Sequence, residues 1–286
     1  IKVIKYRLSK PLVRLSGAIL LAFMTVGSVI FYNTNILHEY WTSSEATAFR
    51  VAYEKELKPF EYIPQPKLVE VHLQLELYPE TRDYTAEGYY ILKNTTNEHI
   101  QTVHIQKLIE ENVTLDSIAF EGGFTTDNQY EKFDYAIYNL NTALKPGDSV
   151  TMYFKQRFTT NGFELGNSNV NINNNGTFFN NSDLPTIGYN NKYELRDNDE
   201  REDHGLPMLS NKAGQDDINE LVNARSGSDS DGIRFEMTIG TSEDQTALVP
   251  GNLLKEWTES NRNYFHYKME IPMINFYSIV SASYEL

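Results

Sequence analysis

From Leu15 to Leu37 the chain carries no charged side chain, and this interval constrains what can lie on either side of it. Its apolar heart, Leu15 to Tyr32, reads LSGAILLAFMTVGSVIFY, eighteen residues. As a helix rising about 1.5 Å per residue it would be about 27 Å long, close to the hydrocarbon thickness of a bilayer. A cleaved signal peptide calls for a shorter apolar run and a small-residue cleavage site. A buried core helix of a soluble protein would not need to be apolar on every side over such a length. The segment therefore reads as one spanning helix, with Gly17, Gly27, Ser16 and Ser28 as the small residues such helices carry and Tyr32 and Trp41 at an aromatic belt.

Charge divides at the same place. Lys2, Lys5, Arg7, Lys10 and Arg14 precede the span, and the first acidic residue is Glu39. Setting those five aside leaves 20 basic against 39 acidic residues, a net of −19 for the rest of the chain. The basic end belongs on the cytoplasmic side by the positive-inside rule, which puts residues 38–286 outside, in a periplasm or at a cell surface. So acidic a surface repels phosphate backbones and argues against nucleic-acid binding. There is no cysteine, hence neither disulfides nor thiolate chemistry. The first residue is Ile1, and the last segment reads as a strand with nothing after it; both ends are expected to be cuts through a longer protein.

Thr42-x-x-Glu45 is a capping-box pattern, with Ala46, Phe49, Ala52, Tyr53 and Leu57 following at helical spacing. This predicts a helix from Ser43 to Lys58, stopped by Pro59 and followed by a stiff connector at Pro64 and Pro66. The helix either stands as a stalk or packs on a sheet. From Leu68 onward the pattern is one of strands. Val69, Val71, Leu73, Leu75 and Leu77 alternate with polar residues, and Tyr84–Lys93 returns as the partner. Further strands are expected at 102–108, 113–120, 135–140, 150–158, 233–239, 246–249, 253–257, 263–269 and 277–286, with a short helix at 215–224. The stretch from Thr159 to Asp231 is dense in Asn and acidic residues and reads as long surface loops or local hydrogen-bonded turns. The expected fold is mainly β: an antiparallel β-sandwich or saddle-like sheet, preceded by one transmembrane helix (1–37) and a short helical stalk with a Pro linker (38–67), the β domain running 68–286.

Candidate chemistry is sparse. None of the six histidines has H-x-x-x-H spacing, and His99 and His104 bracket a strand start so that their rings point to opposite faces. Ser228–Gly232, SDSDG, resembles part of a calcium loop but lacks its later ligands, and the RDNDERED run at 196–203 reads as a solvated charge run. Four N-glycosylation sequons occur, at Asn94, Asn112, Asn175 and Asn180. No nucleophile elbow, P-loop or dinucleotide fingerprint is present, and no catalytic residue is assigned.

The order of elements from Leu68 resembles the N-terminal domain of zinc aminopeptidases related to aminopeptidase N. The segments that carry it are LVEVHLQLELYPETRDYTAEGYYILKNTT around Gly88, LDSIAF, LKPGDSVTMYFKQRF, and GIRFEMTIGTSEDQTALVPGNLLKEWTESNRNYFHYKMEIPMINFYSIVSASYEL. FYNTNILHEY at the end of the span, with GTFFNN, LPTIGY and HGLP, resembles bacterial proteins in which an ABC-type transporter permease region is fused to an aminopeptidase-like extracytoplasmic part. The chain departs from ordinary members, which carry T-Q-F-E-P and P-C-x-D-E-P stretches where GTFFNNSDLPTIGY stands. Residues Thr177, Phe178, Phe179, Asn180 and Asn181 occupy roughly the matching place and are the candidate substrate-facing loop; a packed anchor at Phe178-Phe179 is the other reading.

What the resemblance implies is a non-catalytic domain that shapes the peptide-binding cleft of a catalytic domain lying after residue 286. Zinc would be held there and not in this chain. The implied partners are that catalytic domain, a permease region of which residues 1–37 are the tail, the lipid bilayer and a peptide substrate. A second reading makes the chain a scaffold module of an ABC-type transporter assembly with an inactive peptidase-like part. A third makes it a carbohydrate-binding or adhesive sandwich, for which aromatic richness alone would speak.

Overall fold

The computed structural model describes residues 10–163, 170–209 and 232–284. They form two compact units. The first comprises the N-terminal segment to Trp41 together with residues 161–163; the second comprises the remainder from Thr42.

In the first unit, helix α1 (Lys10–Tyr32) continues as a π-helical turn, Asn33–Leu37. It is long and apolar enough to cross a membrane, and within its most apolar window none of it is buried. Where the helix ends, polar side chains reach back one turn. Asn33 Nδ2 donates to the Val29 carbonyl at 2.8 Å and Thr34 Oγ1 to Ile30 at 3.0 Å. These side chains thus bond to the helix's own backbone where the chain turns polar.

The second unit is mainly β. Its large sheet runs β13 (Asn252–Glu259), β14 (Arg262–Lys268), β11 (Gly232–Ser242), β1 (Lys67–Tyr78), β2 (Asp83–Lys93), β7 (Ser149–Phe158), β4 (Val113–Phe120), with β15 (Met273–Ile274) paired to the start of β11. A second sheet runs β10 (Thr186–Ile187), β3 (Ile100–Gln106), β6 (Tyr135–Leu144), β5 (Phe124–Asp127). The third runs β12 (Thr246–Leu248), β16 (Ser278–Ala282), β9 (Gly176–Asn180), β8 (Ile172–Asn173). One apolar core takes inward side chains from all three, among them Val71, Leu75, Ile105, Met152, Phe179 and Ile279. Pairing is antiparallel except between β1 and β11, which lie parallel with Val71 opposite Phe235 and Leu75 opposite Ile239.

The alternation along β1 holds from Val71 to Leu77 but slips before it. Leu68, not Val69, is buried, because Val69 is the extra residue of a bulge between the Leu68–Leu92 and Glu70–Ile91 pairs. Gly88, opposite Leu73, is fixed by space: a Cβ there would strike the backbone carbonyl of His72.

The helix α2 (Ser43–Leu57) carries the full capping box at Thr42 and Glu45. Of the two readings, stalk or helix packed on a sheet, the second is the one seen. Tyr53 and Leu57 are fully buried and pack with Phe133 and Tyr135, while Phe49, Ala52 and Phe60 close the same cluster. Phe133 meets both Phe49 and Tyr53 edge-on, at 5.4 and 5.6 Å. The apolar stripe at 49, 52, 53 and 57 needed a surface to cover, and the far face of β3 and β6 supplies it. That is why β3 is buried on both faces, His104 and Gln106 lying under the helix side.

Candidate interaction site on the third sheet

The candidate loop, residues 177–181, is β9 and the start of the short 3₁₀ turn Asn181–Asp183. Strand alternation splits it. Thr177 and Phe179 point into the core, at 2% and 3% exposure, and Phe179 stacks on Tyr84 with ring centroids 5.1 Å apart. Phe178 points out, 60% exposed. Of the two phenylalanines, therefore, one is an anchor and the other a surface residue. Asn180 caps the turn by accepting from the Ser182 amide at 2.8 Å. Asn181 clasps the neighbouring strand: its amide donates to the Tyr277 carbonyl at 3.1 Å, and its Oδ1 accepts from the Tyr277 amide at 3.3 Å.

Below β9 lies a polar knot. Gln156 is fully buried at an inward position of β7, and its Nε2 donates to the Tyr84 hydroxyl and to the Asp183 carbonyl, both at 2.7 Å. Burial raises the Asp183 carboxyl above its ordinary range. Thr177 Oγ1 and Gln156 Oε1 are buried without a hydrogen-bond partner.

Among the described residues the outward side of the third sheet carries no charged side chain. Register places Leu248, Val280 and Phe178 side by side on three successive strands. Leu248 is 42% exposed, and Thr246, Ser278, Ala282 and Asn180 complete the face. The outward side of the large sheet is built on the opposite principle, with its charges joined in pairs across strands. Lys155–Glu87, Arg157–Asp116, Arg234–Glu70, Arg262–Glu76 and Lys268–Glu236 lie at 2.8, 3.1, 2.7, 2.8 and 2.8 Å. The Lys268 hydrogen bond holds the Glu236 carboxyl below its ordinary range despite partial burial. Where such pairs are solvent-exposed they contribute little stability, and Lys255 on the same side lies over the Trp257 ring, 4.6 Å from its centroid.

The histidines divide as their strands dictate. His99, just before β3, is exposed, and His104, within it, is buried. Burial pushes the His104 imidazole down to about 4, and its Nδ1 lies 2.8 Å from the Tyr135 hydroxyl. His72 and His266 sit on the large sheet's outer face, Nε2 of each within reach of Glu70 at 2.6 Å and Glu236 at 3.1 Å. Among the described residues no cluster of three or more His, Asp or Glu could hold a metal ion. The SDSDG segment and the helix expected at 215–224 lie outside the described residues but for Gly232. Of the sequon asparagines, Asn94 and Asn112 are buried, and Asn94 Nδ2 is bound to the Glu98 and Leu144 carbonyls.

A crevice of about 290 Å³ opens between the β4–β5 turn and the β6–β7 hairpin, floored by Leu140, Leu144 and Val150. Its two carboxylates are already engaged, Glu121 by Thr151 Oγ1 and Asp148 by the Lys145 amide.

The charge run at 196–203 is exposed, as a solvated run should be, except at Arg201. Asp197 caps a short helix, α3 (Asn198–Asp203), and Arg201 turns inward to 2% exposure against Glu54 of α2. No local pattern could have announced it, since the partner is 147 residues away. The outward row of the third sheet was equally hidden, because its members come from three distant segments.

No family model matches the chain, and no curated protein matches it. Among solved structures, the M1 zinc metallopeptidase from Deinococcus radiodurans aligns at 11% identity and a TM-score of 0.44, over 78% of this chain and 45% of that one. Legionella pneumophila aminopeptidase A in complex with aspartic acid aligns at 14% identity and 0.45, over 80% of this chain and 22% of that one. The chain spans less than half the length of either.

Proposed function

We propose that the second unit is the non-catalytic N-terminal β domain of a membrane-bound zinc aminopeptidase-like protein, and that the outward side of its third sheet meets the catalytic part and borders the peptide cleft. The observation that carries this reading is the uncharged Leu248–Val280–Phe178 row. In a chain with net charge −14, an exposed sheet face that among the described residues has no charged side chain is suited to being covered by another apolar surface. The candidate strand β9 lies in that sheet, which is where the sequence resemblance puts the side turned to substrate. Zinc and its chemistry belong to the catalytic part, where the metal would polarise the scissile carbonyl and activate water. In this reading α1 anchors the protein as the tail of a permease region, with the basic end cytoplasmic and the β domain outside.

The test is the full-length gene product, purified in detergent, assayed for bound zinc and for chelator-sensitive cleavage of aminoacyl substrates. Stoichiometric zinc with activity that Phe178→Asp or Leu248→Asp lowers, at unchanged unfolding temperature of the β domain, is the expected result. Absence of zinc and of hydrolysis overturns the peptidase reading and leaves a tethered scaffold module.

A further inference from the structure

Asn175 stands in the two-residue turn that joins β8 to β9, with Gly176 directly after it. Most asparagines nearby are tied down. Asn173 Nδ2 donates to the Val170 carbonyl at 2.6 Å, and the Asn174 carbonyl accepts from Gln245 Nε2 at 2.9 Å. Asn180 and Asn181 are committed to the cap and to Tyr277. Asn175 is exposed, and among the described residues its side chain has no hydrogen-bond partner. It thus combines a free carboxamide with a following residue that has no Cβ to block approach to its nitrogen.

We propose that Asn175 is a site of spontaneous deamidation, through a cyclic imide formed with Gly176. The Gly176 nitrogen, after losing its proton to solvent base, attacks Asn175 Cγ. A new N–C bond closes the ring, the Cγ–Nδ2 bond breaks, and Nδ2 leaves as ammonia with a proton from solvent. Water then opens the ring at one carbonyl or the other, giving aspartate or isoaspartate. Nothing is oxidised or reduced, and water is the only co-reactant. Register pairs Gly176 with Asn173, so the nitrogen is released when the turn frays; β8 has two residues and lies at the sheet edge, where local opening is cheap.

The chain has a second Asn-Gly pair, Asn161-Gly162, and there the geometry differs. The Asn161 carbonyl is held by the His38 ring at 2.5 Å. Gly162 is in a left-handed conformation, φ 56°, and packed so that a Cβ would meet Asn33 and Leu37. The rotation that brings Gly162 nitrogen onto Asn161 Cγ is therefore resisted, and Asn175 is the faster site. The product puts a carboxylate at the edge of the uncharged face, and its iso form lengthens the turn by one main-chain methylene, breaking the β8–β9 register.

The experiment is ageing of the purified full chain in mildly alkaline buffer, followed by peptide mapping by mass spectrometry and enzymatic isoaspartate methylation. Conversion at Asn175 ahead of Asn161, with both aspartate and isoaspartate peptides, is expected. Asn175→Gln and Gly176→Ala should each lose the Asn175 signal. Gly176→Ala is a fair control because the added Cβ would lie 3.8 Å from its nearest neighbours, ordinary contact. Three results overturn the proposal: Asn161 converting first, Gly176→Ala converting at the parental rate, or no conversion at Asn175 in folded protein.

Discussion

Arg201 and Glu54 meet in a buried two-point ion pair, Nη1 to Oε2 at 2.8 Å and Nη2 to Oε1 at 2.6 Å, with side chains 2% and 4% exposed. Arg201 also donates to the Leu195 and Pro207 carbonyls at 2.6 and 2.7 Å, so one guanidinium ties α2 to the segment around α3. Removing one partner leaves the other charged and dry. Arg201→Met is expected to cost about 3–5 kcal/mol in urea unfolding. A combined Glu54→Leu, Arg201→Met protein should recover most of that loss, because the desolvation of both charges vanishes together. A double variant no more stable than the single one would mean that the pair is not the reason for the loss.

His104 predicts an acid-sensitive fold. Its imidazole is held at about 4 against 6.5 in the unfolded chain, because burial disfavours the charged ring. A folded value below the unfolded one means that the unfolded chain takes up the proton first as pH falls. Stability is therefore intact above about pH 6.5 and declines between there and about pH 4, by on the order of 3 kcal/mol from this residue. His104→Gln should flatten that window in unfolding measured as a function of pH. An equally steep decline in the variant would assign the effect to other groups.

Phe178 and Phe179 are adjacent in sequence and opposite in role. Phe179→Ala removes a ring stacked on Tyr84 in the core and should cost about 3–5 kcal/mol. Phe178→Ala removes an exposed ring and should change stability by no more than about 0.5 kcal/mol. Thermal unfolding of the two variants separates anchor from surface, and similar losses in both would contradict the assignment.

What the sequence made legible was whatever repeats at short range. The alternation of β1, the capping box at Thr42 and the uncharged run at Leu15 each carry their own signal within a few residues, and each is found where it was expected. The failures are of one kind. Val69 is displaced by a bulge whose cause lies in the partner strand, and Arg201 is buried by a glutamate on another helix. Gln156 interrupts the apolar alternation of β7, yet it points inward to bind Tyr84 and Asp183. The apolar stripe of α2 was visible in the sequence, but which surface it would cover was not. Residues 177–181 could be named only as a stretch, since which side chains face out depends on pairing with β16. Tertiary partners decide these cases, and a single chain segment does not contain them.

Two glycines give the sharpest contrast in what a methyl group would do. At Gly88, in the middle of β2 between β1 and β7, an added Cβ would collide with the His72 carbonyl, and backbone cannot move aside without shifting the β1–β2 register. Such overpacking costs about 1–3 kcal/mol even when a core can relax, and a central strand pair has the least room to do so. Gly88→Ala is therefore expected at the upper end of that range. Gly176→Ala, where space exists at ordinary contact distance, should be neutral or slightly stabilising through the unfolded chain. Both would be read by the midpoint of urea unfolding at neutral pH. A Gly88→Ala protein as stable as the parent would show that β1 and β2 are farther apart at this pair than the contact with His72 requires.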